Sequence, residues 1–335
     1  MQVAYDDENA YFRFQWPTQM DRPGQMHNYI RYNGEGWEFF GGPRSSAKVR
    51  SGEEPPLCED RLAIMVDDGS VPMFAEQGCW LSCHTGMRDM PEEPTKDEIA
   101  ANPVLGSDGL NEGDIRKYLP ASRTDEMASW DATKTAEEIA ALQAHGGFVD
   151  LMQWRAARSA AVNMADDGYV LEYRLSDDGK GPFSWNVDRK TMVPQYMFDA
   201  SAVGVKAITV EDIGDPSKPY ALIREENAVA YDPDAGWQEG DVLPGRLVSR
   251  VDATGSAADN DQVTSEWKDG VWTVFFTRKL DTGYPENDKI LEEGKSYTFG
   301  FAVHDDNVTT RFHYVGFPRS IGFGADGDIQ ATKLP

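Results

Sequence analysis

Three side chains carry the most legible chemistry in this chain: Cys79, Cys83 and His84, in the stretch Gly78 to Pro91, G-C-W-L-S-C-H-T-G-M-R-D-M-P. That stretch holds two of the three cysteines and one of the five histidines. Covalent haem attachment usually reads C-x-x-C-H; here the spacing is C-x-x-x-C-H. The chemistry needs two thiols that reach the vinyl groups of one porphyrin, and an imidazole close behind the second thiol that reaches the iron. Residues four apart share one face of a helical turn, so both thiols can point the same way. The stretch reads as a c-type haem site with a widened loop. The same residue types suit other chemistry. Structural zinc takes Cys and His ligands, and Met65, Met73, Met87 and Met90 add soft sulfur that suits Cu(I). The two cysteines can also form a disulfide. Cys58, in P-P-L-C-E-D-R-L, is left over and reads as a buried thiol at a strand start.

The elements that must position these groups are mostly strands. Ala10 to Trp16 alternates and is rich in aromatics, as a half-buried strand does. Arg61 to Val66 is a compact apolar run just before the cysteine motif. Phe148 to Trp154, Tyr169 to Leu175, Gly270 to Arg278 and Tyr297 to His304 are further strands. Short β-like runs lie at Ala207 to Val210, Tyr220 to Arg224 and Leu247 to Val251. Gly, Asp and Pro clusters separate them, which argues for an antiparallel sandwich. Asp21 to Pro56 reads as a long excursion with at most one short strand, near Trp37 to Phe40. Residues 91–147 change character. Thr95 with Glu98 and Thr135 with Glu138 form capping boxes, Gly146 sits just past the second helix, and Ile139 and Leu142 give that helix an apolar side. The fold class expected is mainly β: one antiparallel β-sandwich domain over 1–335, with a helical and loop insertion around 91–147. The acidic stretch Asp252 to Asp261 reads as an exposed loop.

Composition narrows the function. The 335 residues carry 57 acidic and 32 basic side chains, a formal net charge of -25. Such a chain lacks the basic face that nucleic acid requires, and it is equally unsuited to an anionic membrane surface. It suits a salty habitat or docking to a basic partner. No apolar run is long enough to span a bilayer as a helix. Met1-Gln2-Val3-Ala4 runs straight into acidic residues, without the basic and apolar segments of a leader. Haem attachment takes place outside the cytoplasm, so the haem reading expects a periplasmic protein whose leader is absent from this sequence. No Ser/His/Asp arrangement, phosphate-binding glycine loop or H-E-x-x-H appears, which favours an electron carrier over an enzyme.

Three blocks resemble a known family. The first runs from Glu59 to Pro91, with E-D-R-L-A-I-M ahead of the cysteine motif. The second is D-L-M-Q-W-R-A-A-R-S, Asp150 to Ser159, with A-D-D-G-Y-V at Ala165 to Val170. The third is F-A-V-H-D-D-N-V-T-T-R-F-H-Y-V-G-F-P, Phe301 to Pro318. With the first strand they cover nearly the whole chain. They resemble the haem-binding domain related to the γ subunit of ethylbenzene dehydrogenase, in particular its c-type cytochrome branch, which uses a similar C-x-x-x-C-H.

The resemblance implies a β-sandwich with one haem c at its edge, serving single-electron transfer, often beside a molybdenum enzyme of the dimethyl sulfoxide reductase class. It implies Cys79 and Cys83 as thioether anchors and His84 as proximal iron ligand. His313, in R-F-H-Y-V, falls where the family carries a histidine and is the expected sixth ligand, with His304, Met87 and Met90 as alternatives. Relatives tend to read D-L-W-H-W-K where this chain has Gln153 and Arg155. Arg88, Arg155 and Arg158 are candidates to pair with propionates. Trp80 and Trp154 are candidates to pack on the macrocycle. His27 and His145 sit in poor contexts, an excursion and a helix C-terminus. The expected partner is a redox protein, either a molybdoenzyme or another cytochrome. Two other readings belong to different classes: a zinc-containing ligand- or carbohydrate-binding sandwich, and a haem enzyme with an open sixth position.

Overall fold

The computed structural model describes residues 1–19, 22–44, 46–83, 94–106, 115–215, 217–258, 262–305 and 313–335. Among them the chain is mainly β, with antiparallel sheets. One large sheet runs in the order Gln262–Lys268, Val271–Lys279, Asn9–Pro17, Gln2–Tyr5, Thr332–Lys333. The second runs Ile329–Gln330, Arg319–Phe323, Lys295–His304, Arg61–Asp67, Val149–Arg155, Asp166–Val170, Arg174–Ser176. Alternation along the strands explains how these sheets meet. Phe12, Phe14 and Trp16 from one, with Phe276 and Trp272 beside them, face Leu62, Ile64, Met152, Trp154 and Phe299 of the other in one buried core. Trp154 stands edge-on to Trp16 and Trp272, with ring centroids 5.7 and 4.8 Å apart, a favoured aromatic geometry.

The strands expected at Ala10 to Trp16, Arg61 to Val66, Phe148 to Trp154, Gly270 to Arg278 and Tyr297 to His304 are all present within a residue or two. Tyr169 to Leu175 is not one strand. It is a hairpin of Asp166–Val170 and Arg174–Ser176, with Val170 paired to Arg174. The excursion over 21–56 is also more ordered than its composition suggests. Tyr29–Tyr32 pairs with Trp37–Phe40 and with Asp241–Pro244, a partner far along the chain. Its Tyr29 and Ile30 are both buried, so it shows no alternation to read. These strands share a second core with Leu57, Phe198, Ile208 and Leu222. The stretch after Asp252 is not wholly exposed either, since Ser256 and Ala257 are buried in a short 3-10 turn.

Both capping boxes form, Thr95 with Glu98 on Lys96–Ala101 and Thr135 with Glu138 on Ala136–Ala144. Gly146 follows at φ +74°, where a side chain is disfavoured. Ile139 packs on Phe148, Val149 and Leu151. The described part of the insertion therefore covers the outer face of the second sheet. The described residues contain no helix long and apolar enough to cross a membrane.

Candidate functional site

The outer face of the second sheet carries the site. On Lys295–His304, Phe299 and Phe301 turn toward the inter-sheet core, so Gly300, Ala302 and His304 turn outward. The register sets Gly300 beside Met65, Ala302 beside Ala63, and His304 beside Arg61. It continues with Ala63 beside Gln153 and Arg61 beside Arg155. The result is a floor of small side chains, Gly300, Ala302 and Ala63, bordered by a polar row of His304, Arg61 and Arg155.

The cysteine turn docks on this floor. Gly78–Ser82 is a 3-10 turn that buries Cys79 and Leu81. A Cβ on Gly300 would lie 2.8 Å from Cys79 Sγ and 3.2 Å from its backbone nitrogen. Gly78 has φ +54°, and a Cβ there would meet Pro318 at 3.1 Å. The Ser82 hydroxyl donates to the Cys79 carbonyl at 3.1 Å, and the Cys83 amide donates to the Trp80 carbonyl at 3.2 Å. Cys83 then bridges to Lys117, whose Nζ donates to Cys83 Sγ at 3.0 Å. Both Cys79 and Cys83 are free thiols. Burial pushes the Cys79 thiol up to about 12, against the pull of Lys117.

His313 belongs to the same neighbourhood. Its ring stacks on His304 with centroids 4.7 Å apart and planes 23° apart. Burial, and then the Lys117 charge, push its pKa down to about 4. The ring is therefore neutral near pH 7, as an imidazole ligand must be. Its Nδ1 is buried and has no hydrogen-bond partner among the described residues. Lys117 thus bonds to Cys83, and its charge acts on both Cys79 and His313.

The other expected residues divide. His84, Met87, Arg88 and Met90 lie outside the described residues. Trp80 is 43% exposed, while Trp154 is in the inter-sheet core, away from this face. Arg155 is on the floor side, but its guanidinium pairs with Asp166 Oδ2 at 2.8 Å and with the Gln153 side-chain oxygen. Arg158 is buried and donates through Nε to Glu59 at 2.8 Å. His145 contacts the Ala141 carbonyl at 2.6 Å, as a helix C-terminal residue does. Cys58 is fully buried. Sequence reasoning missed Lys117 and the bare floor. A glycine inside the strong strand Y-T-F-G-F-A-V-H was the available signal, since strand glycines mark close approach of another segment.

A family profile described as "Ethylbenzene dehydrogenase" matches residues 1–316. The chain belongs to the ethylbenzene dehydrogenase family. Among its curated relatives, "Cytochrome c-552" of Stutzerimonas stutzeri is 25% identical over 334 residues, 99% of this chain and 64% of that protein. "Cytochrome c-551" of Rhodocyclus tenuis is 32% identical over 109 residues, 29% of this chain and 42% of that protein. The chain thus spans less than two thirds of each relative it matches.

The residues of this ethylbenzene dehydrogenase family member fit a covalently held haem. Two free thiols lie at the outer face of the sheet, and His313, which feels the charge of the same Lys117 that bonds to Cys83, has a buried Nδ1 with no partner among the described residues.

Proposed function

We propose that this chain is a periplasmic c-type cytochrome that passes single electrons through one haem held by Cys79 and Cys83. When bound, the haem supplies a reversible one-electron couple whose potential follows its axial ligands, burial and nearby charge. The observation that carries the reading is that Lys117 bonds to Cys83 and its charge acts on both Cys79 and His313, whose buried Nδ1 has no partner among the described residues. In this assignment Cys79 and Cys83 anchor the ring edge. His84 and His313 would be the residues that hold the iron. His304, stacked on the His313 ring, would fix that ring's orientation. An ammonium at Lys117, beside Cys83, would favour the reduced, less positive state of the centre. Arg88 is the arginine proposed for a propionate, and Trp80 flanks the ring. Arg155 is committed to Asp166 and acts by holding Gln153 on the floor.

The names of the two relatives and the family support a redox role. A redox protein is the proposed partner, either a molybdenum oxidoreductase or another cytochrome. The strongly acidic surface would favour a basic docking face on it. The test is the oxidised and reduced visible spectrum of the purified protein and of His313→Ala. Wild type should be low-spin and six-coordinate, and the variant should become high-spin or bind carbon monoxide once reduced. An unchanged spectrum in His313→Ala would remove His313 from the ligand set.

A further inference from the structure

On the opposite side of the second sheet, away from the thiols, four aspartates converge at one end of the inter-sheet core. One oxygen each of Asp150, Asp167 and Asp288 lies within 4.8 Å of the others. These residues are 0%, 7% and 2% exposed, and Asp177 beside them is 4% exposed. The fold brings them together by pairing. Asp150 is on Val149–Arg155 and Asp167 on the neighbouring Asp166–Val170. Asp177 follows the hairpin strand Arg174–Ser176, and Asp288 lies on the connection ahead of Lys295–His304.

Two cations lie close to Asp150. Arg278, reaching from the opposite sheet, donates to Asp150 Oδ2 at 2.8 Å. Lys289 gives its backbone N–H to the same oxygen at 3.0 Å, but its ammonium turns to Asp68 at 2.8 Å and to the Gly146 carbonyl. Among the described residues no donor reaches Asp150 Oδ1 or either oxygen of Asp177. Asp177 instead faces Asp288, within hydrogen-bonding reach. Three buried acceptor atoms with no donor among the described residues are unusual in a folded protein.

We propose that Asp150, Asp167, Asp177 and Asp288 bind a hard divalent cation, calcium, at the edge of the inter-sheet core. Ligand chemistry chooses the class. The donors are carboxylate oxygens without nitrogen or sulfur, which suits calcium, magnesium or manganese over zinc or copper. Calcium accepts an irregular set of six to eight oxygens at about 2.3–2.6 Å, so oxygens on opposite sides of it are about 4.6–5.2 Å apart, near the spacing seen here. Waters complete the shell. A cavity of about 310 Å³, lined by Asp288, Lys289, Asp68 and Phe148 among others, adjoins the cluster at Asp288. Burial, and then the mutual repulsion of the carboxylates, push Asp177 up to about 9 and Asp167 well above its usual range. A bound cation removes that repulsion. It also ties the Val149–Arg155 strand, whose other face carries Gln153 and Arg155, to the hairpin and to the segment before Lys295–His304.

The experiment uses the haem-loaded protein as purified. Elemental analysis by mass spectrometry after dialysis without chelator should find about one calcium per chain, lost after EDTA. The melting temperature should rise by roughly 5 °C or more on adding calcium to the EDTA-treated protein. Asp177→Asn and Asp288→Asn should abolish both the retained calcium and the calcium-induced rise. The proposal is overturned if no calcium is retained and melting is the same in EDTA and in calcium. It is also overturned if Asp177→Asn raises the melting temperature with no calcium dependence. That outcome would mean Asp177 and Asp288 share a proton.

Discussion

Gly300→Ala is the sharpest test of how the cysteine turn is held. The added Cβ would sit 2.8 Å from Cys79 Sγ, where ordinary contact begins at 3.4 Å, so the pair must open by at least 3.4 − 2.8 = 0.6 Å. The sulfur can rotate away, but the Cys79 backbone nitrogen at 3.2 Å also stands too close. The strand cannot yield easily, because Lys295–His304 is hydrogen-bonded to Arg61–Asp67 on one side and Arg319–Phe323 on the other. The turn must therefore lift. Overpacking of this kind costs about 1–3 kcal/mol, which for a chain of this size is a fall in Tm of roughly 2–6 °C. Lifting Cys79 also moves one thiol relative to Cys83, which Lys117 pins. The assay pairs thermal melting with the ratio of covalent haem to polypeptide. Gly300→Ala should lower both, and Gly300→Val should lower them further. Full haem loading and unchanged melting in Gly300→Val would refute the close docking of Cys79 on this floor.

A second prediction concerns acid stability. Burial pushes His27 down to about 3 from 6.5, and its Nδ1 is buried without a partner among the described residues. The unfolded chain takes up a proton on His27 below about pH 6.5 and the folded chain only near 3, so stability is full above 6.5 and is lost as pH falls toward 3. The difference of 6.5 − 3 = 3.5 units caps the loss at about 5 kcal/mol, less where the ring edge meets solvent. His27→Gln should flatten the acid limb of Tm against pH, and an identical limb in the variant would show that His27 is not its source. Glu59→Leu tests the neighbouring ion pair. Burial alone would push the Glu59 carboxyl up, but Arg158 and Arg61 beside it hold it well below its usual range. Removing Glu59 strands Arg158, which is 4% exposed, and should cost about 3–5 kcal/mol in denaturant unfolding; a loss under about 1 kcal/mol would contradict the pairing.

The long strands of both sheets were legible because their alternation is fixed by one buried face. The Tyr29–Tyr32 strand was not, since Tyr29 and Ile30 are both buried and its partners lie in Trp37–Phe40 and, far along the chain, in Asp241–Pro244. Cys79 and Cys83 were legible from spacing, whereas His313 emerged only through resemblance, because its neighbour Lys117 is 196 residues earlier in the sequence. The aspartate cluster left a signal that was passed over. Asp150 interrupts the apolar run F-V-D-L-M-Q-W at an inward position, where a charge needs a partner. Arg155 read as a candidate for a propionate because its partner, Asp166, is on the adjoining strand.

The most direct measurement of the central claim is a haem stain after denaturing electrophoresis, with intact mass, on wild type, Cys79→Ala, Cys83→Ala and the double variant. Wild type should keep its stain and carry the mass of one haem. Each single variant should stain weakly or lose haem in acid solvent, and the double variant should not stain. A colourless wild-type protein, or a stain unchanged in the double variant, would contradict covalent attachment at Cys79 and Cys83.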